Sequence, residues 1–206
     1  MSTQASSTRL LVGIFVGGRG TRMGGVAKGL LPAPGSASSL VERLLSELQS
    51  ALPGAPVLLV GAADGYAHLG LASIADEPRN IGPLGGLSGL LLHADREGLE
   101  AALAIACDLP YVTGQLIARL VSHAAGAAAV VAKHEGIRNP LFARYQTTPG
   151  LDATRRALAT GRRSLQSVLD HLEPQVAELQ LSASEAAELA DWDTPSNVTN
   201  VKPPPR

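Results

Sequence analysis

Short apolar runs and longer segments of helical spacing alternate along the first two thirds of the chain. The apolar runs are continuous and rich in Val, Ile and Leu, which is typical of strands that are buried on both faces of a sheet. They occupy residues 10–16, 56–61, 71–76, 101–107 and 126–133. The helical segments between them occupy residues 38–52, 84–95 and 113–124, with Thr113 as the N-cap of the last. This βαβ pattern predicts an α/β protein, a mostly parallel sheet covered by helices on both faces.

The pattern changes after residue 134. The segment RNPLFARY is interpreted as a strand that is entered through a proline turn, and residues 148–172 as one or two helices broken at Gly161. No linker and no internal repeat divides the chain, so we predict a single domain over residues 1–206. Residues 1–8 and 202–206 are predicted to be disordered, the latter because they are rich in proline.

Composition and charge narrow the function classes. Hydrophobic residues make up 45% of the chain and charged residues 17%, which excludes an intrinsically disordered protein. The net charge of -1 gives no general attraction to nucleic acid or anionic lipid, so a phosphate ligand must be bound by local charges. The single cysteine allows no intrachain disulfide, and the apolar stretches are too short and too interrupted to span a bilayer. We therefore expect a cytoplasmic protein with no nucleic-acid or membrane partner.

A glycine-rich segment, VGGRGTRMGGVAKGLLP, directly follows the first predicted strand. The five glycines before Lys28 let backbone amides approach an anion, and the three cations Arg19, Arg22 and Lys28 add the charge that a polyphosphate needs. The dinucleotide fingerprint fails at Met23, and the Walker loop fails because Gly29 follows the lysine. The segment predicts a phosphate site at the carboxyl end of the sheet, where open α/β sheets bind ligands. The alternative is a flexible surface loop with solvated cations.

Two aspartates follow predicted parallel strands, Asp76 after LASIA and Asp108 after AALAIAC. Carboxylates at this edge suit a hard cation such as Mg²⁺, which binds one or two carboxylates together with substrate phosphates and waters. The alternative is that both are ordinary turn or N-cap residues. Cys107 is interpreted as a packing residue, because the five histidines are scattered and no HExxH, CxxC or GxSxG motif occurs. The pattern favours a reaction that needs no protein nucleophile.

The segment VGGRGTRMGGVAKGLL resembles the signature loop of the nucleotidyltransferases related to molybdenum cofactor guanylyltransferase. The resemblance continues in the expected order at ADEPRNIGPLGGLSGL, ACDLP, the RNP turn and DTPSNV, over residues 10–198. It implies a three-layer αβα sandwich with a Rossmann-like sheet, of the type that nucleotidyltransferases share with the A-type glycosyltransferases. It also implies transfer of GMP from GTP to the terminal phosphate of molybdopterin, with or without molybdenum, with Mg²⁺ as cofactor and pyrophosphate as product.

The same resemblance assigns roles to residues. Asp108, in CDLP, would hold Mg²⁺ at the nucleotide's phosphates, while Arg22 and Lys28 would balance the charge of the departing phosphates. The nucleotide-binding residues would be Phe15, Val16, Gly17, Gly18, Gly20, Lys28, Gly61, Asp76, Gly82, Pro83, Leu84 and Asp108. The acceptor side would be formed by Asn139, Pro140 and Asp193, for which a turn role is the alternative. Transient contact with proteins that build or insert the molybdenum cofactor is implied as well.

The nucleotide base and the acceptor stay open at this point. Gly17-Gly18 and the later GPLGG resemble the guanylyl branch, but Gly61 offers no side chain to recognise guanine, so backbone groups would have to do so. A related cytidylyltransferase, or a sugar-phosphate or phospholactate nucleotidyltransferase of the same fold, is one alternative. A non-catalytic module that binds a nucleotide or handles the cofactor is another.

Overall fold

The computed structural model describes residues 9–16, 27–190 and 192. In this part of the chain seven strands form one mixed sheet: β1 (Leu10–Phe15), β2 (Val57–Val60), β3 (Ser73–Ile74), β4 (Ala101–Ala106), β5 (Ala129–His134), β6 (Ile137–Gln146) and β7 (Val176–Gln180). Their order is β3-β2-β1-β4-β6-β5-β7. Strand β6 is antiparallel to β4 and β5, and the other pairs are parallel. The mostly parallel sheet is confirmed.

Within the described residues six α-helices connect and cover these strands: α1 (Leu40–Ala51), α2 (Pro83–Arg96), α3 (Gly114–Ser122), α4 (Thr147–Ala159), α5 (Leu165–Leu172) and α6 (Ala183–Glu188). Two short 3₁₀ helices lie at Lys28–Leu30 and Asp64–Leu69. Thr113 caps α3 as predicted, since its hydroxyl accepts a hydrogen bond from the Leu116 amide at 3.2 Å. The predicted break at Gly161, which has a φ of 69°, separates α4 from α5.

Two hydrophobic cores lie on opposite faces of the sheet, and β1 contributes to both. Leu11 and Phe15 pack on the face covered by α2, α4 and α5, while Val12 and Ile14 pack on the face covered by α1 and α3. Gly13 lets α2 approach the sheet, because a Cβ there would lie 2.6 Å from a methyl group of Leu90. The continuous apolar strands therefore form the middle layer of a three-layer sandwich.

The strand predicted at RNPLFARY is confirmed, but its entry through a proline turn is wrong, because β6 begins at Ile137 and continues through Pro140. The pairing of β6 with β5 is irregular here: Val131 pairs with Ala143, but the next residue of β5 pairs with Asn139. The residues between these partners bulge from the ladder. Because proline has no amide hydrogen to donate, a bulge is one of the few places where a strand accepts it.

Other differences concern the ends of the chain and the edge strands. The predicted strand 71–76 is reduced to Ser73–Ile74, and neither β7 nor α6 was predicted. The start of α6 does carry a capping box between Ser182 and Glu185, a pattern that is visible in the sequence. Residues 1–8 and 202–206, predicted to be disordered, lie outside the described residues. Within the described part, no helix combines the length and apolar character needed to cross a membrane.

Candidate active site

The two predicted acidic positions lie beyond strand ends at the carboxyl edge of the sheet. Asp108 follows the last residue of β4 by two positions, and Asp76 follows the last residue of β3 by two positions. Strands β3 and β4 are three places apart in the sheet, about 14 Å between strand axes at the usual spacing. Among the described residues no group of three or more His, Cys, Asp or Glu could hold a metal. The two aspartates therefore serve different parts of the edge.

Lys28 and Asp108 meet at this edge. Lys28 opens the first 3₁₀ helix, and its Nζ donates a hydrogen bond to Oδ2 of Asp108 at 3.0 Å. The two side chains keep 25% and 16% of their surface exposed, so the pair is partly shielded but open to a ligand. Folding thus brings together a cation and a carboxylate that lie 80 residues apart in the chain.

Trp192 fixes the backbone of Asp108 from the other side. The Trp192 amide donates to the Asp108 carbonyl at 3.2 Å, and the indole is buried against Ala33 and Leu40. The ring of Tyr111 meets the indole edge-on, with ring centroids 6.5 Å apart. This anchor was not predicted from the sequence, although Trp192 is the only tryptophan of the chain.

Two carboxylates hold the segment between Asp108 and α3. Glu47 of α1 accepts from the Gly114 amide at 2.6 Å. Glu188 of α6 accepts from both the amide and the hydroxyl of Thr113, at 3.1 and 2.7 Å. Since these side chains already satisfy donors at the start of α3, this helix end is occupied by the protein's own acids. A phosphate ligand at the edge must find its donors elsewhere.

Cys107 is buried beside Asp108, in agreement with its interpretation as a packing residue. Burial, followed by the neighbouring Asp108 charge, raises the pKa of the Cys107 thiol to about 12, so the thiolate is not formed at neutral pH. Its neighbour Tyr66, from the second 3₁₀ helix, was missed by the sequence analysis. The Tyr66 hydroxyl accepts from the Gly29 amide at 3.2 Å.

Asp76 lies against the first turn of α2. A Cβ on Gly86 would lie 3.4 Å from Asp76 Oδ1, and a Cβ on Gly85 would lie 2.4 Å from the Pro78 carbonyl oxygen. The glycines of GPLGG therefore let the loop that carries Asp76 pack directly on the helix. Burial in this contact raises the pKa of the Asp76 carboxyl.

The remaining part of GPLGG forms the start of α2. Gly82 is the N-cap residue and has a φ of 76°, which glycine adopts without strain. Pro83 is the first helical residue, where its missing amide hydrogen costs nothing. Leu84 is fully buried in the core, whereas Gly82 and Pro83 before it are exposed.

The groups expected to recognise the base are already engaged in the sheet. The Val16 amide donates to the Val60 carbonyl at 3.0 Å, and the Gly61 amide donates to the Ile74 carbonyl at 2.9 Å. The ring of Phe15 lies against α2, since its Cε1 would be 2.8 Å from a Cβ on Gly86. The amides of Val16 and Gly61 thus serve the sheet rather than a base.

The acceptor-side residues divide into described and undescribed positions. Asn139 and Pro140 lie in the first half of β6, which starts at the same edge as the ends of β4 and β5 because it runs antiparallel to both. The Pro140 carbonyl accepts from the Tyr145 hydroxyl at 2.9 Å, and Asn139 Oδ1 accepts from the Leu141 amide at 3.2 Å. Gly17, Gly18, Gly20, Arg22 and Asp193 lie outside the described residues.

Comparison with known proteins places this site in a family. Residues 12–176 match the MobA-like NTP transferase domain, so the chain belongs to that family and is a nucleotidyltransferase. It is 31% identical over 183 residues to a molybdenum cofactor guanylyltransferase of Ectopseudomonas mendocina, covering 88% of this chain and 86% of the relative. It is 35% identical over 176 residues to a molybdenum cofactor guanylyltransferase of Burkholderia lata, covering 79% and 83% of the two chains.

A solved structure supports the fold. The molybdopterin-guanine dinucleotide biosynthesis protein A of Archaeoglobus fulgidus superimposes with a TM-score of 0.71 at 22% identity. The superposition covers 91% of this chain and 94% of that chain. The α/β sandwich predicted from the sequence is therefore shared with this structure.

Proposed function

We propose that this chain transfers the GMP moiety of GTP to the terminal phosphate of a molybdopterin-type acceptor and releases pyrophosphate. The names of the Ectopseudomonas and Burkholderia relatives support the guanylyl donor and the molybdenum cofactor acceptor. Within the structure the proposal is carried by one observation, the Lys28–Asp108 pair 3.0 Å apart at the carboxyl edge. Lys28 belongs to the glycine-rich segment, and Asp108 lies 80 residues further along the chain, after β4.

The reaction needs positioning and charge rather than a nucleophile. A phosphate monoester carries a charge of about -1.5 to -2 at neutral pH, so one of its oxygens attacks the α-phosphorus without a general base. A new P–O bond forms as the bond between the α-phosphorus and the bridging oxygen to the β-phosphate breaks, and pyrophosphate takes the electron pair. Lys28 and Arg22 would stabilise the negative charge on the departing pyrophosphate. To do so, Lys28 Nζ would leave Asp108 and bind a phosphate oxygen instead.

The residues at the edge fit a magnesium ion. Mg²⁺ is usually held by one or two carboxylates together with substrate phosphates. Asp108 offers one carboxylate, and its backbone is fixed by Trp192. When bound there, Mg²⁺ would neutralise charge on the nucleotide's phosphates. Asp76, three strands away, is proposed to face the sugar and base instead.

Guanine recognition must use groups other than the two engaged amides. Guanine presents donors at its N1–H and exocyclic amine, for which we propose carbonyl oxygens just after β1 and β2, since those of Phe15 and Val60 already accept from the Cys107 and Val16 amides. Its O6 needs a donor, and the amides of Val16 and Gly61 already bond within the sheet. We therefore assign that donor to the glycine-rich segment of Gly17, Gly18 and Gly20. Each unmatched polar group would cost roughly 1–3 kcal/mol, or about ten- to a hundredfold in preference.

The acceptor is proposed to bind on the other side of Asp108, beside Asn139, Pro140 and Asp193. The undescribed Asp193 follows Trp192, whose amide bonds to the Asp108 carbonyl. We further propose transient contact with proteins that build or insert the molybdenum cofactor.

The proposal is tested with a mixture of phosphate acceptors, molybdopterin among them, incubated with Mg²⁺ and all four nucleoside triphosphates. The expected product is the guanylyl adduct of molybdopterin, identified by its mass, together with pyrophosphate. A cytidylyl adduct would move the chain to the cytidylyl branch, and an adduct of another phosphate would replace the acceptor. Nucleotide binding without any adduct would leave a binding module and overturn the proposal.

A further inference from the structure

Tyr66 is packed beside the backbone on both sides of the Lys28–Asp108 pair. Its hydroxyl accepts a hydrogen bond from the Gly29 amide at 3.2 Å, and the Cys107 side chain lies against the same glycine. Gly29 is the residue after Lys28, and Cys107 is the residue before Asp108. One side chain therefore touches both neighbours of the pair.

Gly29 is closely packed against Tyr66 and Cys107. A Cβ on Gly29 would lie 2.9 Å from the Tyr66 hydroxyl oxygen, 3.0 Å from its ring and 3.3 Å from the Cys107 Cβ. Only 2% of Tyr66 is exposed. The 3₁₀ helix that begins at Lys28 therefore packs closely against both Tyr66 and Cys107.

A rigid backbone next to Lys28 helps to position the lysine ammonium. A lysine side chain has a flexible four-carbon stem, so its ammonium is positioned well only if its backbone is fixed. Small displacements of a group that orients a substrate are costly in rate, even when they arise away from the chemistry. The Tyr66 hydroxyl fixes the backbone directly after Lys28 without itself reaching the edge.

We propose that Tyr66 is a positioning residue that holds Lys28 where it meets the phosphates of the nucleotide. The proposal rests on the proposed function, because it needs Lys28 to bind the outer phosphates. Tyr66 takes no part in proton transfer: burial raises the pKa of its phenol far above neutrality. Its effect passes entirely through Gly29 and Lys28.

The test is a calorimetric titration of Tyr66→Phe with GTP and with GMP, which needs no acceptor. We expect the affinity for GTP to fall about tenfold and that for GMP to change less than twofold, since only GTP has the outer phosphates. In a Lys28→Ala background the substitution Tyr66→Phe should change the GTP affinity no further, because residues that act through one another are not additive. Equal losses in both backgrounds would overturn the proposal.

Two more variants separate positioning from general destabilisation. Thr147→Val removes one buried hydrogen bond to a carbonyl, that of Leu99 at 2.7 Å, at the opposite end of β4. It should lower the melting temperature without changing the ratio of GTP to GMP affinity. Gly29→Ala disturbs the same contact as Tyr66→Phe from the other side and should reproduce its selective loss.

The outcomes distinguish this proposal from the proposed function. If wild-type protein binds GTP no better than GMP, the polyphosphate site and the role of Tyr66 both fail. If wild-type protein prefers GTP but Tyr66→Phe and Gly29→Ala keep that preference, only the role of Tyr66 fails. If binding behaves as expected but no guanylyl adduct forms, the transfer reaction fails and the role of Tyr66 stands.

Discussion

Two cations at opposite ends of the sheet have different kinds of partner. Lys28, at the carboxyl edge, faces the carboxylate of Asp108. Arg144, at the amino end of β4, donates to the carbonyls of His123, Ala124 and Ala125 at 2.9 to 3.4 Å, where α3 ends. A guanidinium is favourable at a helix carboxyl terminus because it satisfies carbonyls that the helix leaves open.

A cavity at the amino end shows that volume alone does not locate the candidate site. A cavity of about 550 Å³ opens beside Arg144, Gln146 and Thr147, away from the carboxyl edge. The carboxylates of Asp95 and Glu100 also line it, which opposes the binding of a phosphate. Arg144 is 2% exposed and its terminal nitrogens are bound to fixed backbone carbonyls, so the arginine serves the fold. Lys28 has a partner that a ligand is able to replace.

The largest expected effect comes from removing the negative charge at the carboxyl edge. Asp108→Asn should lower turnover at saturating Mg²⁺ by at least about 10²-fold, since loss of a charge-stabilising contact costs roughly 2.7–4 kcal/mol in the transition state. The measurement is the rate of pyrophosphate release. The matched control is Asp152→Asn on the exposed face of α4, which should keep the wild-type rate. Wild-type turnover in Asp108→Asn would remove Asp108 from the metal site.

The next effect separates phosphate binding from base binding. Lys28→Ala and Arg22→Ala should each weaken GTP binding by about 10- to 100-fold, because hydrogen bonds to charged groups contribute roughly 1.5–3 kcal/mol. GMP binding should change little in both variants. Isothermal titration with the two nucleotides measures the difference, and equal losses for GTP and GMP would show that these side chains do not clamp the outer phosphates.

At the amino end, by contrast, a substitution of Arg144 should change the stability of the protein and not its activity. Arg144→Leu removes a buried guanidinium and its hydrogen bonds to three backbone carbonyls, and should lower the free energy of unfolding by about 1–3 kcal/mol. Urea unfolding measures this loss, and KM for GTP should stay at its wild-type value. Arg155→Leu, on the exposed face of α4, is the control and should be neutral. A raised KM in Arg144→Leu would mean that the amino end contributes to catalysis.

The sequence predicted the fold well where its signals are local. Continuous apolar runs identified β1, β2, β4 and β5, and Thr113 and Gly161 marked helix boundaries correctly. Strand β7 was missed because VAELQ carries a polar Glu and Gln and lacks a continuous apolar run. The course of β6 was misread because its bulge depends on pairing with β5, which the local pattern around Pro140 does not encode.

The site was predictable only in part, for a similar reason. The positions of Lys28 and Asp108 followed from strand ends and a glycine-rich segment, so their neighbourhood could be inferred. Tyr66 and Trp192 could not, because each acts through one backbone hydrogen bond to a residue far away in the chain. Their rarity was the available signal: aromatic residues make up 3% of the chain.

The smallest expected effect concerns Asp76 and its pH dependence. Burial raises the pKa of this carboxyl above its usual 3.8, so the folded state holds the proton more tightly than the unfolded state. The contribution of Asp76 to stability is therefore complete below the unfolded pKa and is lost as the pH rises through the folded pKa. Asp76→Asn has no such titration, so its stability relative to wild type should increase slightly between acidic and neutral pH.

Unfolding of wild type and Asp76→Asn over that pH range measures the effect. A variant that is less stable than wild type at neutral pH would mean that the start of α2 stabilises the charge more than burial opposes it. If Asp76→Asn is more stable yet binds GTP more weakly, the carboxylate is kept at the carboxyl edge for its ligand. That result would mean that Asp76, like Lys28, is a charge kept for ligand binding. Arg144, in contrast, is a charge that stabilises the fold.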